Sequence, residues 1–484
     1  MMVDMRDRAP RRIVVAMSGG VDSSVAAALL QQEGWEVIGL SMQLYDQSEG
    51  RVAFGSCCTL DDLNDARRVA AALDIPHYIV NLERRFQETV VANFVDEYLA
   101  GRTPLPCAHC NSELKFAELR HRAAALGASA VATGHYARVG LDTTTGVWRL
   151  LRGVDPAKDQ SYFLFSLTQE QLAHAVFPLG GLRKTEVREK ARELGLRVAE
   201  KPDSQEICFV PGNDYAAVVE QRSPSPIPHG VIADGAGRAL GRHDGIHHFT
   251  IGQRKGLGLA SVTPFYVIRI DAATSTVVVG PREQLERTTL EATGVNWMTG
   301  TEPTGQVQAS AQIRYRHPAA PATIVPLGRG RVRVQFETPQ PAITPGQAVV
   351  FYDGEETLGG GWIRGTDDVI GTGGCQSGLT VVNRNRRCPI GSTDPSSKSP
   401  IPHRTARCPC EAPDSSAKCP IAQSPVSIDC VSSDVVASTN RSASSAAMQP
   451  DPAAVIAWRY TWSCTSPQAN TPGTLVCVPS RVTR

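Results

Sequence analysis

The run Ile13–Met17 is apolar throughout and ends in a glycine turn. The next segment, Asp22–Glu33, places Val25, Ala28 and Leu29 on one helical face and stops at Gly34. Val37–Leu44 reads as a second strand, Asp61–Leu73 as a second helix and His77–Leu82 as a third strand. Ala130–Thr133 is another short apolar run, ending at Gly134-His135. Strands alternating with helices predict a doubly wound α/β domain, a parallel sheet covered on both faces, over residues 1–213. Ligands in such sheets bind beyond the carboxyl ends of the strands.

Beyond Asn213 short β-rich stretches separated by Gly and Pro take over. Pro264–Ile270 and Thr276–Val279 predict a small β-rich central domain over 214–288. Ala311–Tyr315, Arg331–Phe336 and Ala348–Tyr352 predict a C-terminal β barrel over 289–364. From 365 to 484 apolar periodicity disappears into Ser, Pro, Thr and Asn, which predicts a disordered tail. Cys408-x-Cys410 is the best support in that tail for a metal or interaction role.

Composition narrows the class. The 484 residues are 42% apolar and 20% charged, enough for real cores in several domains. No stretch approaches the roughly 18 consecutive apolar residues of a membrane span, and no secretory leader is evident, so a cytoplasmic location is expected. A net charge of +1 means that any nucleic-acid surface must come from local segregation of charge. Of 13 cysteines, Cys57, Cys58, Cys107, Cys110 and Cys208 lie in the first 210 residues and the other eight in the tail. Sparse cysteines in a cytosolic chain point to chemistry more than to structural disulfides, and the adjacent Cys57-Cys58 read as reduced loop or core residues.

The string Ala16-Met17-Ser18-Gly19-Gly20-Val21-Asp22-Ser23-Ser24 joins the first strand to the first helix. Its glycines permit a tight turn, and successive amides at the helix start make an anion site. A bare Gly-Gly would suit an ordinary helix cap, but the full string does more. It lacks the Gly-Lys-Ser/Thr of a Walker loop and resembles the PP-loop of ATP pyrophosphatases. That resemblance implies cleavage of ATP to AMP and pyrophosphate and leaves the substrate open.

Two further stretches carry cysteines in polar loops: Gly101–Asn111, with Thr103-Pro104-Leu105-Pro106-Cys107-Ala108-His109-Cys110, and Lys201–Phe209, with Ser204-Gln205-Glu206-Ile207-Cys208. Nearby basic residues ease thiolate formation, and two thiols suit sulfur transfer through a persulfide. With Ala132–Ala137, Lys158–Phe163, Thr250–Gly256 and Leu358–Ile363, these strings, in order over about residues 10–364, resemble the MnmA family of tRNA 2-thiouridylases.

The resemblance implies a tRNA-uridine 2-sulfurtransferase acting on the wobble uridine, with O2 adenylated by ATP and sulfur supplied by a cysteine persulfide. Cys110 would be the nucleophile and Cys208 the persulfide carrier, joined transiently as a disulfide. Ala16, Met17, Ser18, Gly19, Gly20, Val21, Asp22, Ser23, Met42 and Gly134 would hold ATP, with Mg²⁺. Leu105, Pro106, Cys107, His135, Lys158, Asp159, Gln160, Arg314, Tyr315 and Gln347 would contact the tRNA anticodon stem-loop. A sulfur-relay protein or cysteine desulfurase would load the persulfide, and a monomer without membrane association is expected. Independently of family, Arg314, Arg316, His317, Arg329, Arg331 and Arg333 read as one basic patch for phosphates.

Cys107 stands where many family members carry an aspartate, so Cys107, Cys110 and Cys208 form a three-thiol set that could ligate an iron–sulfur cluster or zinc. With no fourth ligand evident, no metal site is assigned. Other PP-loop synthetases, which use ammonia or lysine, and an inactive tRNA-binding module are the rival readings. The Cys110/Cys208 pair speaks against the first, and the intact motifs against the second.

Overall fold

The computed structural model describes residues 11–44, 60–203 and 207–366, with two short pieces, 462–463 and 478–479. Cys57 and Cys58, Ser204–Glu206 and nearly all of the expected tail lie outside the described residues. Trp462–Ser463 and Val478–Pro479 pair antiparallel with each other.

The chain opens with β1 (Arg12–Ala16), α1 (Val21–Gln32), β2 (Glu36–Gln43), α2 (Leu60–Ala72) and β3 (His77–Asn81). The helices α3 (Glu83–Phe86), α4 (Ala92–Leu99), α5 (Pro106–His109) and α6 (Phe116–Ala125) follow, then β4 (Ala130–Ala132). A hairpin of β5 (Ala137–Asp142) and β6 (Val147–Arg152) precedes α7 (Gln169–His174), β7 (Ala175–Val176), α8 (Lys184–Glu193) and α9 (Tyr215–Arg222). The five parallel strands lie in the order β3-β2-β1-β4-β7. β1 is central and apolar on both sides, as a strand covered by two helical layers must be. Its period-two alternation sends Val14 into one apolar cluster and Ile13 and Val15 into the other.

The central domain is a four-stranded sheet in the order β10-β11-β8-β9. Its strands are β8 (Gly230–Ala233), β9 (Ala239–His243), β10 (Tyr266–Asp271) and β11 (Thr276–Gly280). The C-terminal barrel comprises β12 (Glu286–Trp297), β13 (Val307–Gln312), β14 (Ala320–Gly328), β15 (Arg331–Pro341), β16 (Ala348–Asp353) and β17 (Glu356–Gly365). Pairing of β12 with β17 closes it. Along β15, Val332, Val334 and Phe336 are buried while Arg331, Arg333 and Gln335 face out, which is how a small barrel fills its interior.

Two features depart from the sequence reading. The β5–β6 hairpin leaves the α/β sheet and extends the barrel, with Thr357 opposite Leu150 and Glu356 opposite Leu151. The strand expected at Ala311–Tyr315 ends at Gln312, and Arg314–His317 form a turn with Arg316 at φ 64°. Consequently the expected basic patch is not one patch. Arg314, Arg316 and His317 precede β14, whereas Arg329 and Arg331 follow its far end, nine residues or roughly 30 Å away. Arg333 pairs with Glu291 at 3.2 Å.

Candidate active site

In the order β3-β2-β1-β4-β7 all strands run parallel, but the strand order reverses its progression between β1 and β4, so the crevice beyond their carboxyl ends is the expected ligand position. The loop after β1 is Met17–Gly20, and the segment after β4 is Thr133–His135. Gly19 has φ 74°, and a Cβ there would lie 2.0 Å from the carbonyl oxygen of Asp62. Gly134 packs on the start of α1, where a Cβ would come 2.8 Å from the Ser23 amide nitrogen. The loop is fixed from within. Ser23 Oγ accepts from the Ser18 amide at 3.2 Å, and the hydroxyl of Ser24 donates to the Gly20 carbonyl at 2.8 Å. The N-cap of α1 is Gly20, which has no side chain to cap the helix amides.

Charged groups surround this loop. Lys184 Nζ donates to both carboxylate oxygens of Asp22, at 2.7 and 2.9 Å, and lies 2.8 Å from Asp203. The Tyr136 hydroxyl donates to Asp22 at 2.7 Å. Asp203 also meets Lys158 at 2.6 Å and Arg188 at 3.1 Å. Burial opposes its ionisation, but the ammonium groups of Lys158 and Lys184 prevail and lower its pKa to about 2. Lys201 Nζ donates to the Gly19 carbonyl at 3.0 Å and to Asp62 and Asp65 at 2.6 and 2.7 Å, pinning the loop to α2. Lys184, Arg188 and Asp62 carry no signal of this role in the sequence, whereas Tyr136 stands in the Ala132–Ala137 string. Lys201 and Asp203 stand in the Lys201-Pro202-Asp203 string, which was their only local signal.

Cys110 begins a π-helical stretch, Cys110–Lys115, between α5 and α6. Such widened turns occur often at functional positions. Cys110 is buried in the apolar cluster that also holds Met42, and Cys208 packs against the same cluster. Phe209 anchors the Cys208 segment there, edge-on to Phe86 and Phe94 with ring centroids 5.4 and 5.0 Å away. Cys107, one turn before Cys110, is exposed.

The barrel grips the Cys110 loop. The ring of His109 stacks on Trp362 of β17 at 4.0 Å with planes 2° apart. Gln347 Nε2 donates to the Thr103 and Pro104 carbonyls at 3.0 and 3.1 Å. Leu105 joins Tyr162, Phe165 and Val350 in a cluster beneath the loop, and Pro106 is buried at the start of α5.

Several residues expected at the tRNA surface are held inside. Asp159 is buried and accepts from the Gly153 and Ser161 amides, the Ser161 hydroxyl and the Arg152 guanidinium. Gln160 Oε1 accepts from the Tyr136 amide at 3.0 Å. His135 meets Thr133 Oγ1 at 2.7 Å, and burial, reinforced by Lys115, lowers its pKa to about 3, so it is neutral at physiological pH. Arg314, by contrast, stays exposed while donating to the Ala342 carbonyl at 2.9 Å, and half-buried Tyr315 packs on Phe163 with centroids 4.5 Å apart.

Fold and site together define an ATP-type α/β domain of the HUP class carrying two appended β domains. Family models agree: a "tRNA methyl transferase HUP domain" matches residues 11–212, a "tRNA methyl transferase PRC-barrel domain" 217–281 and an "Aminomethyltransferase beta-barrel domain" 287–363. The chain is 55% identical over 358 residues to the tRNA-specific 2-thiouridylase MnmA of Geotalea uraniireducens, spanning 73% of this chain and 95% of that protein. It is 54% identical over 366 residues to the MnmA of Geobacter metallireducens, spanning 74% and 98% respectively. The chain belongs to the MnmA family of tRNA-specific 2-thiouridylases.

Proposed function

We propose that this protein thiolates C2 of the wobble uridine in tRNA at the expense of ATP. The carrying observation is the juxtaposition of a glycine phosphate loop at the switch point of the sheet with two cysteines bordering one apolar cluster that includes Met42. ATP would lie on residues 16–23, with Met42 and Gly134 beside it, and Mg²⁺, when bound with it, would supply charge neutralisation. The wobble base must leave its stack for C2 to be reached. Exposed positions such as Arg314 and Arg316 hold tRNA phosphates, while Asp159, Gln160 and Gln347 act by fixing the loops around them.

The uridine O2 attacks the α-phosphate, forming an O2-adenylate and releasing pyrophosphate. Lys184 and the helix amides offset the charge that develops there. The terminal sulfur of a Cys208 persulfide adds to C2, and AMP leaves with the oxygen. Cys110 then attacks the sulfur of Cys208. The S–S bond breaks, C2 keeps its sulfur as the thione, and a Cys110–Cys208 disulfide forms, so the two thiols supply the two electrons. A cysteine desulfurase or a sulfur-relay protein reloads Cys208 after reduction.

The deciding experiment incubates the purified protein with tRNA, ATP, Mg²⁺ and a persulfide source, and reads nucleosides by mass spectrometry beside AMP release. Formation of 2-thiouridine that requires Cys110 is expected. AMP without thiolation would move the protein to another PP-loop chemistry. Cys208→Ser should still release pyrophosphate and give no thiolated tRNA; undiminished thiolation would remove Cys208 as the carrier. Iron and acid-labile sulfide in anaerobically purified protein would favour delivery from a cluster instead.

A further inference from the structure

The sulfur-transfer step proposed above leaves its disulfide in an awkward place. Cys110 is 5% exposed and sits within the apolar cluster, and Cys208 packs against that cluster. An external reductant must align its own sulfur with one of these two, which burial hinders. Cys107 lies exposed, one helical turn away on the same continuous helical segment. Residues three apart on a helix share a face, with Cβ atoms about 5–6 Å apart. A disulfide needs them at about 3.5–4.5 Å, so this turn has to tighten by roughly 1–2 Å. It is also the turn at which the backbone passes from α- to π-helical hydrogen bonding, the least regular point of the segment.

We infer that Cys107 is a second resolving thiol that moves the disulfide from the buried pair to an exposed Cys107–Cys110 pair. This rests on the persulfide reading above. The Cys107 thiolate attacks Cys110 Sγ, the Cys110–Cys208 bond breaks, and Cys208 leaves as a thiolate that takes up the proton. One disulfide and one thiol become one disulfide and one thiol, so no oxidant or reductant enters this step. Cys208 is thereby free for the next persulfide while the oxidised pair faces solvent. A dithiol reductant then opens the Cys107–Cys110 bond, its own two thiols becoming a disulfide. The shift in position separates reloading from reduction, which a two-cysteine enzyme must perform in sequence at one site.

The test maps disulfides by peptide mass spectrometry after a single turnover with persulfide-loaded protein, ATP and tRNA, quenched with acid. Wild type is expected to carry Cys107–Cys110, and Cys107→Ser to retain Cys110–Cys208. With dithiothreitol as the reductant, repeated turnovers of Cys107→Ser, normalised to 2-thiouridine made in its own first turnover, should slow several-fold. A tRNA-free measurement runs beside it: protein equilibrated with oxidised dithiothreitol should also accumulate Cys107–Cys110. Thiolation that leaves Cys110–Cys208 in wild type, with equal normalised turnover in the variant, overturns the relay and leaves the sulfur-transfer reading standing. Absence of both 2-thiouridine and any disulfide removes that reading and the relay with it.

Discussion

Lys184 Nζ bridges Asp22, at 2.7 Å, and Asp203, at 2.8 Å, so one ammonium on α8 ties the start of α1 to the segment leading to Cys208. Replacing it leaves two carboxylates facing each other without their shared cation. Lys184→Gln should lower stability by about 3 kcal/mol, toward the lower end for a broken buried pair because Asp22 is partly exposed. Pyrophosphate release should fall more than melting accounts for, since the cation faces the phosphate loop. Asp22→Ala should abolish release. Calorimetry with a pyrophosphate assay at saturating ATP checks both, and normal release by either variant would take this network out of nucleotide chemistry.

The glycine loop makes a sharper demand. A methyl group at Gly19 would sit 2.0 Å from the backbone oxygen of Asp62 and would have to adopt φ 74°, so either α2 or the loop must move. Gly19→Ala should therefore lose ATP binding, measured by calorimetric titration, and destabilise the fold by at least about 1 kcal/mol from backbone strain alone. Gly181→Ala is the matched control, because a Cβ there meets nothing within 4 Å. Equal ATP affinity for the two variants would mean that the loop tolerates what its geometry forbids.

Much of this arrangement was legible in the chain because its causes are local. β1 is readable because a strand buried on both faces is apolar from Ile13 to Ala16, and the phosphate loop because glycine and serine must stand at fixed offsets. The β5–β6 hairpin was not readable as part of the barrel. Its partner Thr357 lies over two hundred residues beyond Leu150, and nothing near either residue records the pairing. Lys184 was hidden for the same reason: within Lys184–Glu193 it is one charge among many, and only the fold sets it between Asp22 and Asp203. The basic residues form no single patch because nearness in sequence is not nearness in space across a strand that carries its two ends apart.

Acid should destabilise the protein in two stages. Burial, aided by Arg67, lowers the pKa of His77 to about 4, and burial, aided by Lys115, lowers that of His135 to about 3. Both lie below the ordinary value of 6.5, so between 6.5 and these values the unfolded chain binds more protons than the folded one. Their contribution is thus complete above about pH 6.5 and is lost as pH falls toward 4 and 3. Asp203, held at about 2, loses its contribution only below the ordinary carboxylate range near 3.8. Urea midpoints at about pH 7 and about pH 5 should differ less in His77→Gln than in wild type. An unchanged difference would exclude His77 from the first stage.

A stacked pair links the barrel to the chemistry. Trp362 covers His109, the residue before Cys110, while Gln347 of the same barrel holds the carbonyls of Thr103 and Pro104. Trp362→Ala removes the stack and its contact with Phe165 and should cost about 3 kcal/mol, as deletion of a large packed aromatic does. With Gln347 still in place the Cys110 loop stays attached but loses its orientation. Yield of 2-thiouridine per pyrophosphate released should therefore fall, whereas pyrophosphate release, governed by the glycine loop, should persist. Trp362→Phe keeps an aromatic face toward His109 and should recover much of the yield. A parallel fall in both readouts would show that the barrel only stabilises the fold, and an unchanged ratio would show that Cys110 needs no such support.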